Sequence, residues 1–129
     1  MSLETIREEK AMEEKYESIL NSMKKMLGPT IEQYNIFDVD LIININSVFS
    51  TLFQLGVGPQ NAPFTISSEL ETWSNFLPDS AASIAMVKSY MYLRLKLLFD
   101  PPSSGFVLDS YKAQIAEFEW RANVMAETP

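Results

Sequence analysis

A chain of 129 residues with no cysteine, no histidine and a net charge of −7 excludes more functions than it suggests. Disulfide frameworks, thiolate nucleophiles and sulfur zinc sites are gone, and so are the common metal ligand and the common general base near neutral pH. Phosphate-neutralising nucleic-acid binding is disfavoured for the chain as a whole.

The remaining composition, 47% hydrophobic and 21% charged, is that of an ordinary globular domain with enough chain for one core. No apolar run is expected to span a bilayer, and the acidic start lacks the apolar core of a signal peptide.

The opening Met1–Leu3 reads as a cloning remnant. Residues 1–15 are dominated by Glu, Lys and Arg and are expected to form an exposed or frayed helical extension. The domain itself is expected over 16–127. Tyr16, Ile19, Leu20, Met23 and Leu27 continue the first helix at helical spacing, and Gly28 and Pro29 end it.

After a connection over 31–37, Asp38 is the expected N-cap of a second helix. Leu41, Ile45, Val48, Leu52 and Leu55 form its stripe, widened by Ile42, Phe49 and Phe53. So broad an apolar surface predicts burial on more than one side, in the domain centre or at a subunit contact. Gly56 is the expected stop. Asn44, Asn46 and Ser47 interrupt this helix, either as a solvent-facing strip or as hydrogen-bonding groups inside a subunit interface.

The segment 56–68 holds two glycines and two prolines and is the longest irregular stretch, with Phe64–Ile66 a possible extended piece. Ser68 with Glu71 matches a capping box and predicts a short helix containing Trp73 and Phe76, ended by Pro78. Asp79 or Ser80 caps the next helix, which runs to Phe99 along Ile84, Val87, Met91, Leu95 and Leu98. Its YMYLRLKLL piece also alternates like a strand, but length and cap favour helix.

Then come Asp100, Pro101 and Pro102. Proline disfavours helical geometry in the residue before it, so the helix must finish near Phe99. Ser103 or Ser104 caps a long C-terminal helix to about Ala126, with Val107, Tyr111, Ile115, Phe118, Ala122 and Met125 on one face. The two helices and their stiff corner predict an αα-hairpin. The fold class is therefore all-α, a small bundle of about four to five helices with one irregular loop.

Few residues suggest chemistry. Ser22 and Lys25 make a Ser-x-x-Lys pair, but the companion elements of penicillin-recognising enzymes are missing. Gly56, Gly58 and Pro59 lack the third glycine and the Gly-Lys-Ser/Thr of a phosphate loop. Asp38 with Asp40, and Glu117 with Glu119, are two apart and do not face each other on a helix. The seven methionines fit core gap-filling better than an adaptable binding surface.

Three pieces do carry a pattern: INSVFSTLFQLGVGP, LETWSNFL and VKSYMYLRLKLLFDPPSSGFVLDSYKAQIAEFEWR. Together, over about Ser18–Met125, the chain resembles the head–tail connector (adaptor) proteins of long-tailed bacteriophages and prophages. The most specific elements are Leu55-Gly56-Val57-Gly58-Pro59, then Leu98-Phe99-Asp100-Pro101-Pro102, then Glu119-Trp120-Arg121.

The resemblance implies a helical structural protein, not an enzyme, without cofactor or metal. Its implied place is the virion head–tail junction after synthesis in the bacterial cytoplasm. The implied assembly is a self-associated ring of about twelve subunits under the portal protein, extending the DNA channel and docking a head-closure or tail protein. DNA would pass without sequence-specific binding, and no membrane is involved. An acidic wall suits such passage, and a lumen lined by Lys24, Lys25 and Arg94 would contradict it. The competing readings are a helical regulatory or scaffolding module, a carboxylate-dependent enzyme and a DNA-binding regulator, in falling order.

Overall fold

A computed structural model describes residues 2–78 and 81–127. Among them lie seven α-helices and one 3₁₀ turn, with no strand beyond an isolated bridge between Ser18 and Thr72. The helices are α1 (Leu3–Lys15), α2 (Ile19–Leu27), α3 (Pro29–Gln33), α4 (Asp38–Gln54), α5 (Trp73–Phe76), α6 (Ala81–Phe99) and α7 (Gly105–Glu127). The expected all-α bundle with a long C-terminal helix is what forms. Two helices exceed the predicted number because the first is split and the connection after Gly28 contains α3.

The split has a local cause. Ser18 takes an extended conformation and its side chain accepts from the Asn21 N–H, capping α2. The residues around it exchange backbone bonds with the start of α5: Ile19 N–H donates to Glu71 O at 3.0 Å, and Trp73 N–H donates to Glu17 O at 3.2 Å. A continuous helix would forfeit both. Tyr16 consequently lies outside the buried stripe and is exposed.

Asp38 is not the N-cap of α4, as its helical φ of −60° and ψ of −41° place it within the helix run. Its carboxylate is engaged elsewhere. Lys24, only 6% exposed, puts Nζ 2.8 Å from Asp38 Oδ1 and donates to Asn35 Oδ1 at 3.0 Å. A buried lysine without such partners would be costly, so this cluster ties α2 to the entry of α4.

The apolar stripe of α4 behaves as predicted: Leu41, Ile45, Val48, Phe49 and Leu52 are buried. By length and composition alone, Asn35–Gln54 would pass as a membrane span, contrary to the expectation that no run does. Its buried stripe packs into the bundle, while Val39 and Ile43 are left exposed.

The end of α4 is a Schellman cap. Val57 N–H donates to Leu52 O at 2.9 Å and Gly56 N–H to Phe53 O at 3.1 Å, with Gly56 at φ +83°. Asn46 fits neither reading proposed for it. Its amide donates to Ile66 O at 2.9 Å and accepts from Ile66 N–H at 2.8 Å, pairing the extended loop as a strand neighbour would. Ser47 is exposed, and Asn44 bonds back to Asp40 O.

Ser68 and Glu71 interact but start no helix. The Glu71 carboxylate accepts from the N–H and hydroxyl groups of Ser67 and Ser68, closing a turn. Burial alone would raise its pKa; the hydrogen bonds outweigh that and hold it below the usual carboxylate value. The helix begins later, with Thr72 N–H donating to Asn75 Oδ1 at 2.9 Å.

Trp73 is fully buried at the centre of the core, and its indole N–H donates to Ser22 Oγ at 2.8 Å. Phe49, Phe64 and Phe76 pack with ring centroids 4.7–5.3 Å apart. Helix α6 contributes Ile84, Val87, Tyr90, Met91 and Leu95 to the core, whereas Leu98 is 63% exposed. The caps proposed at Asp79 and Ser80 lie outside the described residues.

Gly58 has φ +89°, and a Cβ there would sit 2.3 Å from the Phe76 ring. Gly28 has φ +113° but open space around it. Both substitutions to Ala carry about 1–2 kcal/mol of backbone strain, and only Gly58→Ala adds roughly 1–3 kcal/mol of overpacking. Urea denaturation should therefore show a clearly larger loss for Gly58→Ala, and equal losses would refute the aromatic clamp.

Candidate functional surface

The C-terminal hairpin holds most of the singled-out residues. Asp100 N–H donates to Lys96 O and its carboxylate pairs with Lys96 Nζ, finishing α6. Pro101 and Pro102 follow in an irregular turn. Ser104 then caps α7: its hydroxyl accepts from Val107 N–H at 3.4 Å and its carbonyl from Leu108 N–H at 3.0 Å. The corner works as the sequence implies, and α7 returns antiparallel along α6.

What holds α7 is narrow. Tyr90 on α6 stacks on Phe118 at 4.3 Å between centroids, with 16° between planes. The Tyr90 hydroxyl donates to Glu119 Oε2 at 3.2 Å and accepts from Arg94 at 3.2 Å. Burial is the main reason the Tyr90 phenol titrates above its usual range; Glu119 adds to the shift and Arg94 opposes it. Val107, Tyr111, Ile115 and Ala122 lean on α6 but are only half-buried, and Met125, expected on the same face, is 75% exposed.

No described side chain of α7 is buried. The face turned away from α6 carries Phe106, 85% exposed, and Trp120, 66% exposed, with Val124 beyond them. Phe106, Ala113 and Trp120 are seven residues apart, so they fall in one line along the helix. A second exposed apolar group, Ile36, Val39 and Ile43, lies at the start of α4.

The motif residues go to three places. Leu55, Gly56 and Val57 form the α4 cap; Gly58 presses on Phe76, and Pro59 is exposed. Phe99 and Asp100 line a cavity of about 340 Å³ with the α2–α3 turn at Leu27–Ile31, while Pro101 is exposed and Pro102 half-buried. Trp120 faces outward.

Arg121 is exposed and pairs with Glu117 at 2.7 Å. It meets the first motif at another cavity. Gly56, Val57 and Gly58 line that space of about 360 Å³ with Leu77, Met86, Val87, Phe118, Arg121, Ala122 and Met125. Two of the three motifs thus converge on an apolar pocket at the far end of the hairpin.

None of this is catalytic geometry. Glu117 and Glu119 have separate partners, Arg121 and Tyr90. Among the described residues no cluster of three acidic side chains is placed to hold a metal.

The family model described as "Phage connector protein" matches residues 19–129. The chain belongs to the phage connector family. The match starts at the first residue of α2, so α1 stands outside it. Comparisons with curated proteins and with solved structures found no match. The connector is accordingly a structural phage protein of the head–tail junction.

Several side chains that hold the scaffold of this surface were missed by sequence reasoning. Lys24 had a usable signal: with Leu20, Met23 and Leu27 it completes an i, i+3, i+4, i+7 face, so a buried partner was implied. Asn46 and Tyr90 had none, because their partners lie 20 and 29 residues away.

Replacing Pro101 and Pro102 together with Ala should relax the corner. Each proline restrains the unfolded chain by about 0.4–1 kcal/mol, so the double variant should lose roughly 1–2 kcal/mol and melt a few degrees lower. An unchanged melting temperature would show that the corner does not set the hairpin.

Proposed function

We propose that this connector assembles as a ring beneath the portal, extends the DNA channel and receives the next head-closure or tail protein. It acts through surfaces and catalyses no reaction. Residues 19–127 are the assembling domain, with α1 an appended helix.

The observation that carries this reading is α7. A 23-residue helix of a family member lies against one neighbour and leaves two aromatic side chains in water. Exposed apolar surface of this kind marks protein contacts. The family match supports a phage setting for such a contact.

Charge supports the channel role. The chain is acidic overall, and Lys24 is buried against Asp38 and offers no cation to a lumen. A surface poor in free cations would let phosphates pass without sticking.

The test is to mix the purified chain with its cognate portal and examine the complex by electron microscopy. Closed rings of connector density seated on the portal are the expected result. A connector that neither binds the portal nor closes into rings with it would reject the reading. A monomer in dilute solution, without portal, agrees with it.

A further inference from the structure

The exposed ring of Phe106 and the pocket beneath Arg121 sit at opposite ends of α7. Phe106 is in the first turn, and the pocket residues Phe118, Ala122 and Met125 are in the last turns. The separation from Phe106 to Met125 is about 28 Å along the helix at about 1.5 Å per residue. No subunit can fill its own pocket with its own Phe106.

We infer that Phe106 of one copy seats in the Gly58–Phe118–Met125 pocket of the next, so that copies pair head to tail through α7. The inference rests on the connector reading for the assembly it serves, but the contact itself is argued from this chain.

Size is the first support. The pocket, about 360 Å³ and lined mainly by apolar groups, is as large as about a dozen waters at ~30 Å³ each, ample for a benzyl group. Phe106 is the most exposed of the large apolar side chains. Burying it there removes apolar surface from water on both partners.

Charge is the second support. Near Phe106, Asp100 is paired with Lys96, and Asp109, one turn along α7, is the carboxylate left to offer, with Lys112 the next charge on the helix. Among the described residues, the one charged group lining the pocket is Arg121, whose partner Glu117 is exposed and holds it weakly. The guanidinium has donors to spare for the carboxylate of an incoming Asp109.

A pairing that brings two Phe106 ends together has neither advantage. Two Phe106 ends brought together would oppose their Asp109 carboxylates and leave both pockets empty. Made once with each neighbour, a contact between two different patches is heterologous and gives a ring when its rotation closes; made reciprocally between two copies it gives a two-fold pair.

The absence of cysteine makes the test direct. Ser110→Cys places a thiol one turn from Phe106, and Met125→Cys places one at the pocket mouth; both sites are exposed. The two single variants are mixed at high concentration under mild oxidation, with and without portal. The expected product is the 110–125 heterodimer, in about ten-fold excess over the 110–110 and 125–125 homodimers, the bias given by ~1.4 kcal/mol of preferred contact.

Adding Phe106→Asp to the Ser110→Cys chain should erase the excess while leaving the monomer folded by circular dichroism. Dominant homodimers, an excess that survives Phe106→Asp, or a Met125→Cys chain that links only to portal would each overturn the inference. Portal-seated rings without the 110–125 product would overturn this pairing and leave the connector reading standing. The 110–125 product without any ring would do the reverse.

Discussion

Among the described residues, helix α7 packs chiefly on one helix, α6, and the other features of the surface follow from that constraint. Helices α2, α4 and α6, with α5 and Ile66, close a core around Trp73. Helix α7 arrives after this core is complete and finds only the outer face of α6, anchored by the Tyr90–Phe118 stack and the Glu119 bond. Along its opposite face Phe106 and Trp120 stay largely exposed. Burying an aromatic side chain removes about 150–250 Å² from water, worth several kcal/mol at about 25 cal/mol/Å². Phe106 and Trp120 hold that free energy in reserve.

The reserve is modest. A stable interface buries about 800 Å² per partner, more than two aromatic side chains expose. A pair of free copies should therefore hold together poorly. In the proposed ring every subunit would make two such contacts, and a portal would add a platform. Weak pairing that strengthens on a template would suit the proposed assembly on a portal.

The long-range polar bonds serve the scaffold rather than chemistry. Lys24 with Asp38 and Asn35, Trp73 with Ser22, and Asn46 with Ile66 each tie distant segments together. Each satisfies a group that burial would otherwise penalise. The Asn46 latch and the Gly58–Phe76 contact place the loop that walls one side of the pocket. The pocket is thus made by the core, and α7 closes it.

Local rules made much of this visible in the sequence. Gly28, Gly56 and the double proline marked real helix ends, and the stripes of α4 and α6 predicted most of the core. The failures came where a distant partner overrode a local preference. Ser18 broke a continuous helical pattern because the Glu71 carbonyl and the Trp73 N–H offered partners to Ile19 and Glu17. Asp38 left its capping role for Lys24, and Ser68–Glu71 formed a turn whose helix starts at Trp73. Leu98 and Met125 match a helical stripe but run past the end of what α6 and α7 can cover for each other. The motif residues were legible as a pattern, yet their convergence on one pocket was not, since spacing along a chain does not report proximity in space.

Amide hydrogen exchange across the chain tests the central claim most directly, because protection reports local opening free energy. In the isolated protein, α7 should exchange much faster than α4 and α6, and on assembly with the portal it should become as protected as they are. Protection of α7 equal to that of α4 in the isolated chain, unchanged by assembly, would contradict the account.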